Sequence, residues 1–142
     1  MNTQQERIAK FIDGHADHIG LNLRFANDFF TSIFPIETVT LTDGKDATGK
    51  IVTNPMICYG SFEQHNANGG SKSLPQLTLA ATQQGFSIYL LGIRGKLDLR
   101  ELSLELGKVN VTGYCIRFKQ WNEINQSILR DIVLKSRDVT LT

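Results

Sequence analysis

The sequence predicts an α+β domain in which an antiparallel sheet of about five strands packs on N- and C-terminal helices. Apolar residues recur at helical spacing near both ends of the chain, and segments rich in β-branched and aromatic residues occupy the middle. The length of 142 residues suits one ordinary hydrophobic core and leaves little room for a second. We therefore expect a single domain spanning residues 1–142.

Two amphipathic helices are predicted between residues 3 and 34, joined near Gly20. The apolar positions of the first are Ile8, Phe11, Ile12, His15 and Ile19, and those of the second are Phe25, Ala26, Phe29, Phe30 and Ile33. Pro35 ends the second helix, because proline disfavours the helical conformation in the residue before it. Residues 38–54 then change to β-branched stretches separated by Asp-Gly and Thr-Gly pairs, which predicts a hairpin or an elaborated loop.

The middle of the chain predicts an antiparallel meander with strands at 56–62, 75–81 and 86–92. Residues 63–73, between the first two strands, are rich in Asn, Gly and Ser and predict an exposed flexible loop.

The last third of the chain predicts a short helix, a strand and a final helix. Asp98 followed by Glu101 resembles a capping box, and Gly107 stands where a helix terminus favours glycine, so residues 97–106 are interpreted as helical. Residues 113–119 form a strand with Cys115, Arg117 and Lys119 on one side. Apolar residues at helical spacing predict the final helix at about 122–136.

The charge balance of the whole chain points to no particular partner. Fifteen Lys and Arg against fourteen Asp and Glu give a net charge of +1, too weak a field to indicate nucleic acid or an acidic membrane as an obligate partner. No apolar run approaches the roughly 20 residues that span a bilayer, and we expect a cytoplasmic protein. Cys58 and Cys115 lack disulfide-framework or zinc-knuckle spacing and are interpreted as reduced, buried thiols.

The first candidate site is a cluster of cations near the C-terminal strand. Gly107-Lys108 and Thr112-Gly113 bracket a short segment whose backbone N–H groups could point outward beside Arg117 and Lys119. Such a loop can hold a carboxylate or phosphate. The alternative is purely structural: Gly107 caps a helix, Gly113 turns the chain into a strand, and Lys108 interacts with the last helix carbonyls.

The second candidate site is a carboxylate pair in the stretch "DGHADH". On one continuous helix, Asp13 and Asp17 share a face while His15 points away from them. Two exposed carboxylates can bind a hard cation, although a solvated turn of charge explains them better. Catalysis has less support, because the common hydrolase and metalloprotease motifs are absent and no general base is placed beside Cys115.

The second half of the chain resembles the YdhG-like family of bacterial domains of unknown function. Its members typically carry a strand ending in an aromatic residue and Leu, a short helix, Leu-Gly-Lys, a spacer ending in Thr-Gly, a Cys-containing strand ending in Lys, and a last helix. The matching residues are Tyr89, Leu90, Leu106, Gly107, Lys108, Thr112, Gly113, Cys115 and Lys119. The likeness covers residues 56–134.

The resemblance implies a fold related to frataxin, with helices on one face of an antiparallel sheet. We expect a non-catalytic module without a cofactor that recognises a small anionic ligand or a protein partner through Gly107, Lys108, Thr112, Gly113, Arg117 and Lys119. Some family members have been assigned as intracellular iron chaperones, so the alternative is iron handling through Asp13 and Asp17. Exposed strand edges in a small sheet also make a homodimer plausible.

Overall fold

Four α-helices and eight strands make up the chain over residues 3–51, 54–65, 67–82, 85–93 and 96–140, the parts that this computed structural model describes. In chain order they are α1 (Gln4–Asp13), α2 (Asp17–Thr31), β1 (Thr40–Thr42), β2 (Met56–Tyr59), β3 (Phe62–His65), β4 (Ser71–Leu74), β5 (Leu77–Ala81), β6 (Phe86–Leu90), α3 (Leu99–Leu102), β7 (Val109–Thr112), β8 (Cys115–Phe118) and α4 (Gln126–Val139). The predicted α+β class is confirmed.

Six of the strands form one antiparallel sheet in the order β1-β2-β5-β6-β8-β7. The sheet is therefore one strand wider than the expected five. The additional strand is β7, which occupies the segment expected to be a loop between Gly107 and Gly113. Strands β3 and β4 form a separate two-stranded hairpin.

One face of the sheet is apolar and packs on the helices. Pairing aligns one residue from each strand across this face: Leu41, Ile57, Leu79, Ile88, Ile116 and Val111. The same core cluster contains buried residues of α1, α2 and α4: Ile8, Ile12, Leu23, Ala26, Phe30, Leu129, Ile132 and Val133. The expected packing of N- and C-terminal helices on the sheet is thus confirmed.

The opposite face, called here the open face, contributes no residue to that core cluster. Because side chains alternate along a strand, it carries the positions between the core residues. These are Thr40, Thr42, Met56, Cys58, Thr78, Ala80, Ser87, Tyr89, Asn110, Thr112, Cys115 and Arg117. Arg117 is the one charged residue in this set.

The junction between the first two helices differs from the prediction. Helix α1 ends at Asp13, α2 begins at Asp17, and Gly20 lies inside α2. A Cβ at Gly20 would lie 3.0 Å from the carbonyl oxygen of Ile12, so this glycine lets α2 pass close to the end of α1. Its role is close helix packing and not helix termination.

Segments 63–73 and 38–54 also differ from the prediction in how much regular secondary structure they contain. Part of the predicted flexible loop 63–73 is paired in the β3–β4 hairpin, although its side chains are mostly exposed as expected. Segment 38–54 begins at the last residue of a 3₁₀ turn (Ile36–Thr38) and continues as β1. It then forms a loop closed by a bridge between Lys45 and Ile51, while residues 52–53 lie outside the described ranges.

The predicted helix at 97–106 is reduced to the single turn of α3. Asp98 caps it as expected, its side chain accepting a hydrogen bond from the N–H of Glu101 at 3.3 Å. The helix ends at Leu102, well before Gly107, so the expected helix-terminal role of Gly107 is wrong.

Helix α4 begins later than predicted, at Gln126, where the Asn125 side chain accepts hydrogen bonds from the N–H groups of Ser127 and Ile128. No helix in the described parts of the chain is long and apolar enough to cross a membrane.

Gly60 marks a tight contact between the end of β2 and the Gln76 side chain, which precedes β5. Its φ is 69°, and a Cβ there would collide with the Oε1 atom of Gln76 and lie 2.9 Å from the Phe34 ring. Gln76 is 5% exposed and its amide donates to the Arg137 carbonyl at 3.2 Å, which ties the start of β5 to the last turn of α4.

We expect Gly60→Ala to lower the free energy of unfolding by about 3 kcal/mol, through left-handed strain together with the displaced Gln76. The control is Gly69→Ala, where φ is 89° and nothing lies within 4 Å of the added Cβ. That variant should lose only about 1 kcal/mol from strain. Urea denaturation of both variants measures the difference, and equal losses would contradict the close-contact explanation.

Tyr59 is the largest side chain that is completely buried, and its hydroxyl donates to the Asn27 Oδ1 atom at 2.7 Å. Burial raises the pKa of Tyr59 well above its usual value, with smaller contributions from the negative charges of Cys58 and Asp28. Above about pH 10 an unfolded tyrosine loses its proton while the buried one keeps it, so the unfolded state binds fewer protons and stability falls as the pH rises.

Tyr59→Phe should therefore flatten the alkaline loss of stability, by up to about 1.4 kcal/mol per pH unit above pH 10. At neutral pH the same variant should be less stable by about 1 kcal/mol, because the Asn27 hydrogen bond is lost. Urea denaturation between pH 8 and 11 measures both effects. An unchanged alkaline slope would show that Tyr59 does not contribute to it.

Candidate functional site

Three of the predicted site cations lie together at one groove on the open face. Lys108, Arg117 and Lys119 all line a groove of about 830 Å³. Val109, the first residue of β7, pairs with Phe118, the last residue of β8, so Lys108 and Lys119 lie beside each other just beyond this pair. Side-chain alternation puts both on the same face as Arg117. The strand register therefore gathers cations that are up to 11 positions apart in sequence.

The floor of the groove is formed by β6, where two small residues leave space beside the cations. Ser87 pairs with Arg117, and Gly85 precedes the strand with no side chain to fill the groove. A Cβ at Gly85 would collide with the carbonyl oxygen of Phe118, so glycine is required for the close approach of the chain to β8. Tyr89 lines the groove two residues beyond Ser87 along β6.

The groove has a positive charge balance. Its lining includes the three cations and one acid, Glu123, whose carboxylate lies 3.5 Å from the Lys108 ammonium. Among the described residues, neither Arg117 nor Lys119 forms an ion pair. Both side chains are thus available to an anion without first breaking a salt bridge of the described chain.

Ser87 has a buried hydroxyl without a hydrogen-bond partner. The residue is 1% exposed, and its Oγ atom makes no hydrogen bond with any described group. An unsatisfied buried polar group costs roughly 1–3 kcal/mol, so native structures rarely keep one without a reason. Its position on the floor of the groove, facing Arg117, makes binding of a polar ligand one such reason.

The remaining predicted anion-site residues do not join this groove. Gly107, with φ of 126°, bridges to Ile124 and precedes Lys108, whose N–H donates to the Glu123 carbonyl at 3.2 Å. Thr112 and Gly113 lie at the far end of β7, where Gly113 and Tyr114 form the turn into β8. The expected loop of outward N–H groups is wrong, because the segment between the two glycines is a strand paired with β8.

The carboxylates of the predicted metal site are not arranged as one continuous helix would place them. Asp13 ends α1 and Asp17 begins α2. The Asp13 carboxylate accepts a hydrogen bond from Arg24 at 2.8 Å, and His15 Nδ1 lies 2.8 Å from the Phe11 carbonyl oxygen. Within the ranges that the structure describes, no group of three or more His, Cys, Asp or Glu side chains is placed to hold a metal ion.

The two cysteines lie in the same row of the open face as free thiols. Thr78 and Tyr89 separate Cys58 from Cys115, so their backbones are about 14 Å apart, far beyond disulfide reach. Burial raises the pKa of the Cys58 thiol, with a smaller opposing effect from the Thr40 side chain. Cys115 is 4% exposed.

No family model, curated protein or solved structure matches this chain. The resemblance to the YdhG-like family therefore stays a prediction that rests on the quoted residues.

Sequence reasoning missed Ser87, Gly85 and Asn110 as lining residues. One signal was present: alternation in "FSIYL" places Ser87 and Tyr89 on the face opposite Phe86, Ile88 and Leu90. What the sequence lacked was the pairing of β6 with β8, which brings Ser87 beside Arg117 across a gap of 30 positions.

We expect Ser87→Ala to raise the free energy of unfolding by about 1 kcal/mol, since it removes a buried hydroxyl without a partner. Ser103→Ala should act in the same direction, because the Ser103 Oγ is likewise buried and unpartnered among the described groups. Chemical denaturation of both variants tests this. A loss of stability at Ser87→Ala would mean that the hydroxyl has a stabilising partner in the unliganded protein.

Proposed function

We propose that this protein is a non-catalytic binding module of the YdhG-like family that acts in the cytoplasm and takes a small anionic ligand in the open-face groove. The observation that carries the proposal is the meeting of Lys108, Arg117 and Lys119 around the unpartnered Ser87 hydroxyl. The β7–β8 ladder fixes the spacing of the backbone at these three positions, which lowers the part of the entropy lost on binding that comes from the backbone.

The chemistry of the three cations suits an oxyanion. The planar guanidinium of Arg117 can donate two parallel hydrogen bonds to a phosphate or carboxylate, while the lysine ammonium groups act as mobile point charges. Glu123 offsets part of the charge of Lys108, whose side chain is 84% exposed. Arg117 and Lys119 are therefore the principal anion-binding residues of this proposal.

Iron handling has no comparable support in the described residues. Asp13 forms an ion pair with Arg24. Among the described residues, the fold does not bring Asp13 together with two further His, Cys, Asp or Glu side chains that could hold a metal ion. The groove offers lysine and arginine donors, which repel a cation.

Charge reversal at the groove should strongly weaken phosphate binding. We expect Arg117→Glu or Lys119→Glu to weaken binding of inorganic phosphate roughly tenfold or more, because each removes a charge-assisted hydrogen bond worth about 1.5–3 kcal/mol and adds repulsion. Titration of ¹⁵N-labelled protein, followed at the amides of residues 85–89 and 115–119, gives both the affinity and the site.

The matched control is Lys72→Glu, which makes the same charge change on the exposed β4 strand of the separate hairpin. It should leave the phosphate affinity within about twofold of wild type if the groove, and not net charge, governs binding. Equal weakening by all three variants would contradict a specific site.

A further inference from the structure

We infer that the ligand of this groove is a small phosphate monoester carrying a flat aromatic ring, with its phosphate at the cations and its ring against Tyr89. This inference rests on the proposed anion-binding function and names the ligand class. Four features of the groove carry it: its size, the concentration of charge at one end, the aromatic ring of Tyr89 at the other end, and the position of the Ser87 hydroxyl between the two.

The groove is too large for an inorganic oxyanion alone. Its volume of about 830 Å³ lies in the range of cavities that hold organic ligands of drug size, about 300–1,000 Å³. Along β6 the floor runs from Gly85 to Tyr89, four residue steps, or about 13 Å at strand spacing. A ligand that uses this length has an organic portion beyond its anionic group.

Charge is concentrated at one end of that length. Lys119 lies beside Gly85, Arg117 pairs with Ser87, and Lys108 stands on the next strand. Toward Tyr89 the neighbouring open-face positions are Thr78 and Cys115, which carry no charge. Three cations against the single Glu123 favour a dianionic phosphate over a singly charged carboxylate.

The opposite end is aromatic. Tyr89 is half-buried on the open face, and the ring of Tyr114 lies 6.0 Å from it, centroid to centroid, with an interplanar angle of 46°. Tyr114 thus limits the movement of the Tyr89 ring on the side of the β7–β8 turn. A flat ring of the ligand that packs on Tyr89 gains the stacking and desolvation energy typical of aromatic pairs.

Ser87 lies between these ends. It pairs directly with Arg117 across the ladder and lies two residues from Tyr89 along β6, about 6–7 Å away. The ester oxygen that joins a phosphate to a ring occupies the space between cation and ring, within reach of a hydroxyl donor on the floor. A ligand of this class therefore satisfies the buried Ser87 Oγ, which has no partner among the described residues.

The test compares three soluble probes on wild-type protein: inorganic phosphate, cyclohexyl phosphate and phenyl phosphate. We expect phenyl phosphate to bind at least about tenfold more tightly than inorganic phosphate, with cyclohexyl phosphate clearly weaker than phenyl phosphate, because only a flat ring stacks on Tyr89. Calorimetry gives the affinities, and amide shifts at residues 87–89 locate the ring.

Two variants assign the ends of the ligand. Tyr89→Leu should remove most of the advantage of phenyl phosphate and leave the affinity for inorganic phosphate unchanged, whereas Arg117→Gln should weaken both probes by a similar factor. Ser87→Ala should weaken phenyl phosphate several-fold. Lys72→Gln, on the separate hairpin, should change neither probe.

The outcomes separate this inference from the function on which it rests. If inorganic phosphate binds at the groove but phenyl phosphate binds no more tightly, the ligand class is wrong while the anion site stands. Equal affinities for the phenyl and cyclohexyl esters would overturn the flat-ring requirement, even if Tyr89→Leu failed to fold. If no probe shifts the groove amides, the proposed function fails as well.

Discussion

Burial of one apolar sheet face against three helices is the interaction on which the rest of the structure depends. Each strand of the six-stranded sheet contributes a residue to a continuous apolar row that α1, α2 and α4 cover. Because strand side chains alternate with a period of two, fixing the core row also fixes which residues face the other way. A one-residue slip of β8 would move Arg117 into the core and Ile116 to the open face. The positions of the groove cations are therefore determined by the same hydrophobic burial that stabilises the fold.

The spacing of apolar residues and the content of β-branched and aromatic residues were sufficient to predict the helices and strands whose apolar side chains pack in the core. Helical spacing located α1, α2 and α4, and β-branched or aromatic content located β2, β5, β6 and β8. Prediction failed where tertiary contact overrides local signal. Gly20 is a poor helix residue in isolation but permits close helix packing, and the polar strands β3 and β4 pair with each other although their composition is typical of a loop.

The candidate site was predictable only in part, for a related reason. Alternation along the strand was enough to predict that Arg117 and Lys119 lie on the same side. The strand register agrees with this prediction. The groove beside them requires knowledge of the neighbouring strand, since Ser87 and Gly85 matter through their small size and their place opposite β8. Small residues carry little signal of their own in a sequence. Likewise, β7 was not predicted, because the glycines at both of its ends suggested a loop. Gly107 instead allows the close approach of the chain at Glu123.

The position of β7 at the edge of the sheet has a consequence for the motions of the groove. In the described chain β7 pairs with β8 alone, so its other backbone edge is free of any sheet partner, and edge strands open locally at less cost than central ones. Its first end is tied down separately, since the residues around Gly107 bond to the segment that precedes α4. Opening of β7 would carry Asn110 away from the groove while Arg117 and Lys119 stay fixed on β8. Backbone amides of β7 should accordingly exchange hydrogen faster than those of β8, on the other side of the groove. Access to the groove is then governed by local fluctuation of one strand and not by unfolding of the domain.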